Sequence, residues 1–295
     1  MPTRTRSLLA ALLLLLASAS LLARPKPPPL AQSIDPSLQK RLEARLKALG
    51  LARAADEGRL AVALVDITDT ERPRVAEVNG NRMMYAASLP KIAILLGAFH
   101  KIESGQMALD EETRALLTQM IRYSSNRAAT EMLNRVGKDY LAELLQSPRY
   151  RLYDARYNGG LWVGKEYGRG KAFRRDPLHH LSHGATAFQV ARFYYLLETG
   201  QLVSPELTAV MKEILSRPGI AHKFVKGLLQ THPDARIYRK SGTWRQWHAD
   251  SAIVEHDGHR YIAVALAEDP HGGEWLTRLI VAMDELVFES RVAMR

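Results

Sequence analysis

Apolar residues recur along this chain at two different spacings, and each change of spacing marks a new element. After Asp35-Pro36, Leu38, Leu42, Leu46 and Leu49 fall on one face and predict a helix over 37–49. Ala61-Val62-Ala63-Leu64-Val65 reads as a short apolar strand, ended by Asp66-Ile67-Thr68-Asp69. Arg74–Val78, closed by Asn79-Gly80, reads as its hairpin partner. Residues 89–102 are apolar over a helical length, and 110–150 carry two or three further helical patterns. Residues 151–184, rich in Gly, Arg, Tyr and His, look irregular. Helices are predicted over 187–199, ended at Gly200, and over 204–216. A last strand group opens at Arg239. Within it Ala249–Glu255 and Arg260–Leu266 are joined by His256-Asp257-Gly258-His259. An amphipathic helix from about 274 to 289 closes the pattern.

The order is helix, two strands, a long helical middle, three strands, helix. Strands at both ends of the chain predict one antiparallel sheet covered by the terminal helices, with the middle as a second lobe. The expected division is an α/β lobe from 35–87 and 236–295 and a helical lobe from 88–235. A cleft between two lobes is the default place for a ligand.

The N-terminus adds an address. Arg4 and Arg6 precede an apolar run from Leu8 to Leu22, with Ala17-Ser18-Ala19 as a cleavage site. Residues 1–23 therefore read as a secretory signal peptide, with an uncleaved anchor as the alternative. The run is short against the roughly 20 apolar residues of a membrane span. Residues 24–34, with Pro25 and Pro27-Pro28-Pro29, read as a stiff extended linker. The expectation is a periplasmic protein whose mature chain has no stable membrane partner.

Composition changes the picture in two places. With 46% apolar and 24% charged residues, the 295-residue chain can build a core, so disorder throughout is excluded. With no cysteine, a disulfide framework, a thiol nucleophile and Cys-ligated metals are excluded. The net charge of +10 fits nucleic acid, an anionic surface or simply a soluble surface. The basic residues are spread with no run of five, and there is neither a phosphate loop nor a nucleic-acid motif. The expectation is therefore a monomer with a small-molecule substrate and no nucleic-acid partner.

Three short motifs carry candidate chemistry. In Ser88-Leu89-Pro90-Lys91 a loop passes into the apolar helix, and Pro90 suits its first turn. Ser88 then lies at a helix N-terminus, where free N–H groups favour developing negative charge. Lys91, three residues on, shares its face. A serine hydroxyl needs an adjacent base to act as a nucleophile, and a lysine of lowered pKa can be that base. Ser37-Leu38-Gln39-Lys40 has the same spacing and reads as a helix start. Ser124-Ser125-Asn126 stands between helical patterns. Ser124 can relay a proton and Asn126 can donate an amide hydrogen bond, or the tripeptide is a cap or turn. Lys240-Ser241-Gly242-Thr243 lies on a strand. It offers a fixed positive charge, two hydroxyls to grip a carboxylate, and a glycine that lets another backbone approach. The Thr243 N–H can pair with that of Ser88 as an oxyanion hole.

Taken together and in this order, the motifs resemble those of the penicillin-recognising serine hydrolases, most closely the class A β-lactamases. The resemblance spans roughly residues 35–295 and is tightest at the motifs and over 186–206. It implies an α+β fold: a five-stranded antiparallel sheet flanked by N- and C-terminal helices, with an inserted all-helical lobe. It implies Ser88 as the acylated nucleophile, Lys91 as its proton partner and Ser124 as proton relay to the leaving nitrogen. Asn126 would hold the substrate's side-chain amide, and Lys240, Ser241 and Thr243, with Gly242 between them, would match the strand that binds its carboxylate. No cofactor and no metal is expected. The implied activity is hydrolysis of a β-lactam amide through a Ser88 acyl-enzyme. The rivals are a D,D-peptidase or transpeptidase acting on peptidoglycan stems, and a non-catalytic cell-wall binding protein of the same fold.

The chain departs from the family pattern in three ways. Ser125 stands where Asp is usual. The interval from Ser88 to Ser124 is short, so a loop that walls one side of the cleft is expected to be missing. No clear Glu-x-x-x-Asn supplies the base that activates the deacylating water. Asp154, four residues before Asn158, is the candidate base, with Glu166 as a second. A shorter acid sits ~1 Å back, a displacement that can cost about 10²-fold. If neither serves, the acyl-enzyme persists. His179 and His183 have metal-compatible spacing but only Asp176 nearby. Trp244 and Trp247 are expected to line the cleft or to pack at its rim, with Arg245 between them a possible second cation for the carboxylate. Tyr157, Trp162 and Tyr167 are expected to rim the site or to staple a loop.

Overall fold

The computed structural model describes residues 27–292. The expected signal peptide, 1–23, and the first part of the expected linker lie outside them. Helix α1 (Pro36–Ala48) is capped by Asp35, whose carboxylate accepts from the Ser37 and Leu38 N–H groups at 2.9 Å. A short α2 (Ala52–Asp56) leads into β1 (Leu60–Asp66) and β2 (Arg74–Val78). After β3 (Met84–Tyr85) the chain enters α3 (Lys91–Glu103), α4 (Glu111–Arg122), α5 (Asn126–Val136) and α6 (Lys138–Gln146). Short strands β4 (Tyr153–Asp154), β5 (Gly159–Gly160), β6 (Trp162–Val163) and β7 (His183–Ala185) punctuate the stretch read as irregular. Then come α7 (Ala187–Glu198), α8 (Pro205–Leu215), α9 (Phe224–Thr231), β8 (Arg236–Trp244), β9 (Trp247–His256), β10 (His259–Glu268) and α10 (Gly272–Val292).

The main sheet is antiparallel and five-stranded, in the order β2-β1-β10-β9-β8. Strands from both ends of the chain meet where β1 pairs with β10 from Leu60↔Ala267 to Asp66↔Tyr261. Every residue of β1 is buried, as expected of a strand covered on both faces. Val62, Leu64, Ala263 and Ala265 face a core with α1, α9 and α10. Ala61, Ala63, Ile262 and Val264 face the larger core of the helical region. The turn between β9 and β10 is tighter than the four residues expected. Asp257 and Gly258, at φ 47° and 74°, form a two-residue loop of the kind that matches strand twist.

Two packing arrangements were not legible in the periodicity. Helix α7 lies on β1 and β10, and α9 packs on α10, so both rest on the sheet although they fall within 88–235. A second, three-stranded sheet, β3-β7-β6, ties the segment before Ser88 to the 160s and 180s. Helix α3 is the centre of the helical region. Lys91 through Phe99 are all buried, as for a helix that is apolar all round. Among the described residues no helix is long and apolar enough to cross a membrane.

Candidate active site

Sheet edge β8, the head of α3 and the start of α5 converge on one cleft of about 670 Å³. Ser88 borders it from a tight turn three residues before α3 begins, where the Lys91 N–H donates to the Ser88 carbonyl at 3.2 Å. Ala87, beside it, holds φ at 49°, strained for a residue with a side chain. Gly242 on β8 makes the approach possible. A Cβ there would stand 2.2 Å from the Ala86 carbonyl oxygen and 2.9 Å from the Ser88 nitrogen. The backbone of the turn that carries Ser88 and that of β8 are therefore in contact, as a shared oxyanion hole would require.

Ser124 is the hub. Its hydroxyl lies 3.4 Å from Lys91 Nζ and 3.0 Å from Lys240 Nζ, which joins three motifs far apart in sequence. Its own φ is 56°, and its carbonyl accepts from Lys91 Nζ at 2.6 Å. Lys91 Nζ also donates to Asn126 Oδ1 at 2.9 Å. Both lysines are buried. Burial pushes Lys91 down to about 7 from 10.5. Burial, followed by the charge of Lys91, holds Lys240 well below the usual lysine range. Ser125, where the family usually has Asp, is the N-cap of α5, and its hydroxyl accepts from the Ala128 N–H at 3.2 Å. The departure keeps the scaffold role with a smaller side chain.

The structure does not bring Asp154 to this cleft. It lines a separate depression with Arg151, Arg156 and Pro177. Its carboxylate caps the Ala155–Tyr157 turn and accepts from Arg156 Nη2 at 2.6 Å. That hydrogen bond holds it below the usual carboxylate range. An acid fixed by a turn and an arginine elsewhere is not a general base for Ser88, so that expectation is corrected. Glu166 does border the cleft, but its carboxylate accepts from Lys138 Nζ at 2.5 Å.

What faces Lys91 instead is Tyr167. The ammonium lies 4.5 Å from the ring centroid, and the ring stacks on His183 at 4.3 Å with 5° between planes. The Tyr167 hydroxyl is buried without a hydrogen-bond partner among the described residues. Burial, then the charges of Lys165 and Lys91, drives His183 down to about 3, so it is a neutral ring. Of the three aromatics expected to rim the site or to staple a loop, Tyr167 lines the cleft, whereas Tyr157 stacks on Phe188 at 5.5 Å and Trp162 is buried. Trp244, Arg245 and Trp247 do line the cleft.

Sequence reasoning missed Lys223. It precedes α9 with φ at 53°, is buried, and donates to Gly242 O at 2.6 Å, Thr243 Oγ1 at 2.7 Å and Ala249 O at 3.1 Å. Burial lowers it to about 8. Beside it Asp250 accepts two 2.7 Å hydrogen bonds from Arg239 and one from the Phe224 N–H at 3.1 Å. An acid in the middle of an apolar strand was the available signal.

As for metals, His179 accepts or donates at Asn158, and His183 lies under Tyr167. Away from the cleft, His232, His256 and Asp284 hold ligand atoms within 4.8 Å of one another. There Asp284 already bridges both imidazoles, at 3.0 and 2.7 Å, and accepts from the Tyr261 hydroxyl at 2.7 Å.

The profile of the Beta-lactamase enzyme family matches residues 41–115 and 112–283. The chain belongs to that family. Solved structures agree on the fold of this family member. One is PBP-A, in a variant captured as an acyl-enzyme complex with penicillin-G (18% identity, 87% of this chain and 98% of that one, TM-score 0.66). Another is a β-lactamase from Sphaerobacter thermophilus (17%, 81% and 96%, TM-score 0.63). A third is a variant of the last common ancestor of Gram-negative bacteria class A β-lactamase (20%, 88% and 100%, TM-score 0.66). No curated protein matches the sequence.

Proposed function

We propose that this β-lactamase-family protein is an exported, monomeric serine hydrolase that is acylated at Ser88 by β-lactams and by the peptide amides they mimic, and that releases the acyl group slowly. The observation that carries the reading is the Ser124 hydroxyl within reach of both Lys91 and Lys240, while Ser88, Asn126 and Thr243 border one cleft. Neutral Lys91, favoured by burial, takes the Ser88 proton as Oγ bonds to the amide carbonyl carbon. The oxyanion meets the backbone N–H groups of Ser88 and Thr243. As the C–N bond breaks, its electron pair stays on nitrogen, which receives a proton passed from Lys91 through Ser124. A β-lactam keeps both halves attached, so the adduct gains the whole mass of the drug.

Slow release follows from Tyr167. Lys91 is lowered by burial alone, with an aromatic ring rather than a carboxylate against it. Glu166 is engaged by Lys138. These features favour the penicillin-binding peptidase reading over rapid β-lactam hydrolysis. The test is intact mass against time after mixing the mature protein with benzylpenicillin. An adduct lasting many minutes, absent in Ser88→Ala, is expected. An adduct replaced within seconds by hydrolysed penicillin would restore the β-lactamase reading. No adduct, with penicillin intact, would leave only a binding protein.

A further inference from the structure

The cleft carries more positive charge than the motifs require. Lys165, Arg169, Arg175 and Arg245 line it, and none of them belongs to the three motifs. Glu166 is the one carboxylate among its lining residues, and it is paired with Lys138. None of the four cations forms an ion pair with a carboxylate among the described residues. Arg175 donates to the His180 carbonyl at 2.9 Å, and the Arg245 guanidinium lies 5.6 Å from the Trp244 ring. Like charges gathered around a concave surface raise the local concentration of anions.

Three of these cations, Lys165, Arg169 and Arg175, come from outside β8 and its turn. Arg245 is in the turn after β8, two residues beyond Thr243, and belongs with the strand expected to hold the first carboxylate. Lys165 is two residues from Tyr167 and close enough to His183 to disfavour its charge, so its field reaches the cleft floor. Tyr85 and Trp247, whose rings meet at 5.4 Å, give the cleft an apolar wall. The cleft thus offers three cations from residues 165–175 in addition to those of β8 and its turn, beside aromatic rings.

We propose that the acyl group this enzyme accepts carries an acidic group of its own, so that its substrates are at least dianionic: one carboxylate at Lys240 and Ser241, a second at Lys165, Arg169 and Arg175. The inference rests on the acyl-enzyme reading. It names the substrate class as an acidic peptide whose acyl donor ends in or bears a free carboxylate.

The test uses two drugs that differ by one group. Carbenicillin is benzylpenicillin with a carboxylate on the acyl side chain. Second-order acylation rates are measured by intact mass at low salt and at 0.5 M NaCl. Carbenicillin is expected to acylate about tenfold faster at low salt, with the advantage shrinking at high salt. In the Lys165→Ser/Arg169→Ser/Arg175→Ser variant the ratio of the two rates falls toward one. In Arg169→Glu it drops further, and thermal melting checks that each variant is folded. Equal rates for the two drugs, or a ratio unmoved by the variants, would overturn the inference while acylation itself stood. Absence of an adduct with either drug would remove the acyl-enzyme reading and this inference together.

Discussion

Lys91 Nζ rests 4.5 Å from the centroid of the Tyr167 ring, which lines the same cleft as Ser88. An aromatic face stabilises the ammonium weakly, by about 0.5–2 kcal/mol, and cannot accept a proton from water. Putting an acid there is therefore expected to convert a slow enzyme into a faster one. Tyr167→Glu should shorten the life of the penicillin adduct by about 10²-fold, the usual scale of general-base assistance. Tyr167→Gln, of similar shape but without the base, should leave it long. Both lose the stack on His183 and are expected to be less stable by about 3 kcal/mol. Equal adduct lifetimes in the two variants would contradict the role given to this position.

The acylation rate should rise with pH. Lys91 is lowered to about 7 and acts as a base only when neutral. Below that value the neutral fraction falls about tenfold per pH unit, so the rate should fall with it; above about pH 8 it should level off. An ordinary lysine, at 10.5, would still be climbing there. Rates with benzylpenicillin from pH 5.5 to 9 decide this. A profile flat across the range would mean that Lys91 does not take the proton.

Gly242 is the tightest steric requirement of the site. A methyl group would press on the Ala86 carbonyl and the Ser88 nitrogen, both backbone, so no side-chain rotation relieves it. Gly242→Ala should cost about 1–3 kcal/mol of stability or push β8 away from Ser88. Either way the two N–H groups of the oxyanion hole separate. Acylation is expected to slow by about 10² or more, with a lowered melting temperature. Wild-type acylation by this variant would show that the two backbones need not meet.

Much of this arrangement was legible in the sequence. Alternating and helical spacings gave the order of elements, because buried strands such as β1 and the central α3 have near-continuous apolar runs. The three motifs gave the convergent residues, because their chemistry needs fixed residue types at short spacing. Asp154 was misread for a physical reason. Its spacing to Asn158 is real, but the chain there makes a capped turn, and Asn158 at φ 56° hydrogen-bonds to the Asn81 carbonyl instead. Spacing alone does not say which way a turn points. Helix α9 escaped because it is only eight residues long and its apolar face is short. The small β3-β7-β6 sheet escaped because strands of two or three residues leave no period to detect.

Lys223 holds the inner side of the substrate strand, and no motif announces it. Its ammonium ties Gly242 O, Thr243 Oγ1 and Ala249 O together across β8 and β9. Lys223→Met keeps the length of the side chain but leaves two buried carbonyls without that donor, at about 1–3 kcal/mol each. The Thr243 hydroxyl is then free to turn, and the Thr243 N–H loses its fixed aim at the acyl oxygen. The expected result is a clear fall in melting temperature with a larger loss in acylation rate than in noncovalent penicillin binding. Lys223→Arg, which restores a cation and its donors, should recover part of the rate if it fits. Binding and acylation falling by the same factor would instead make Lys223 a simple charge for the incoming anion.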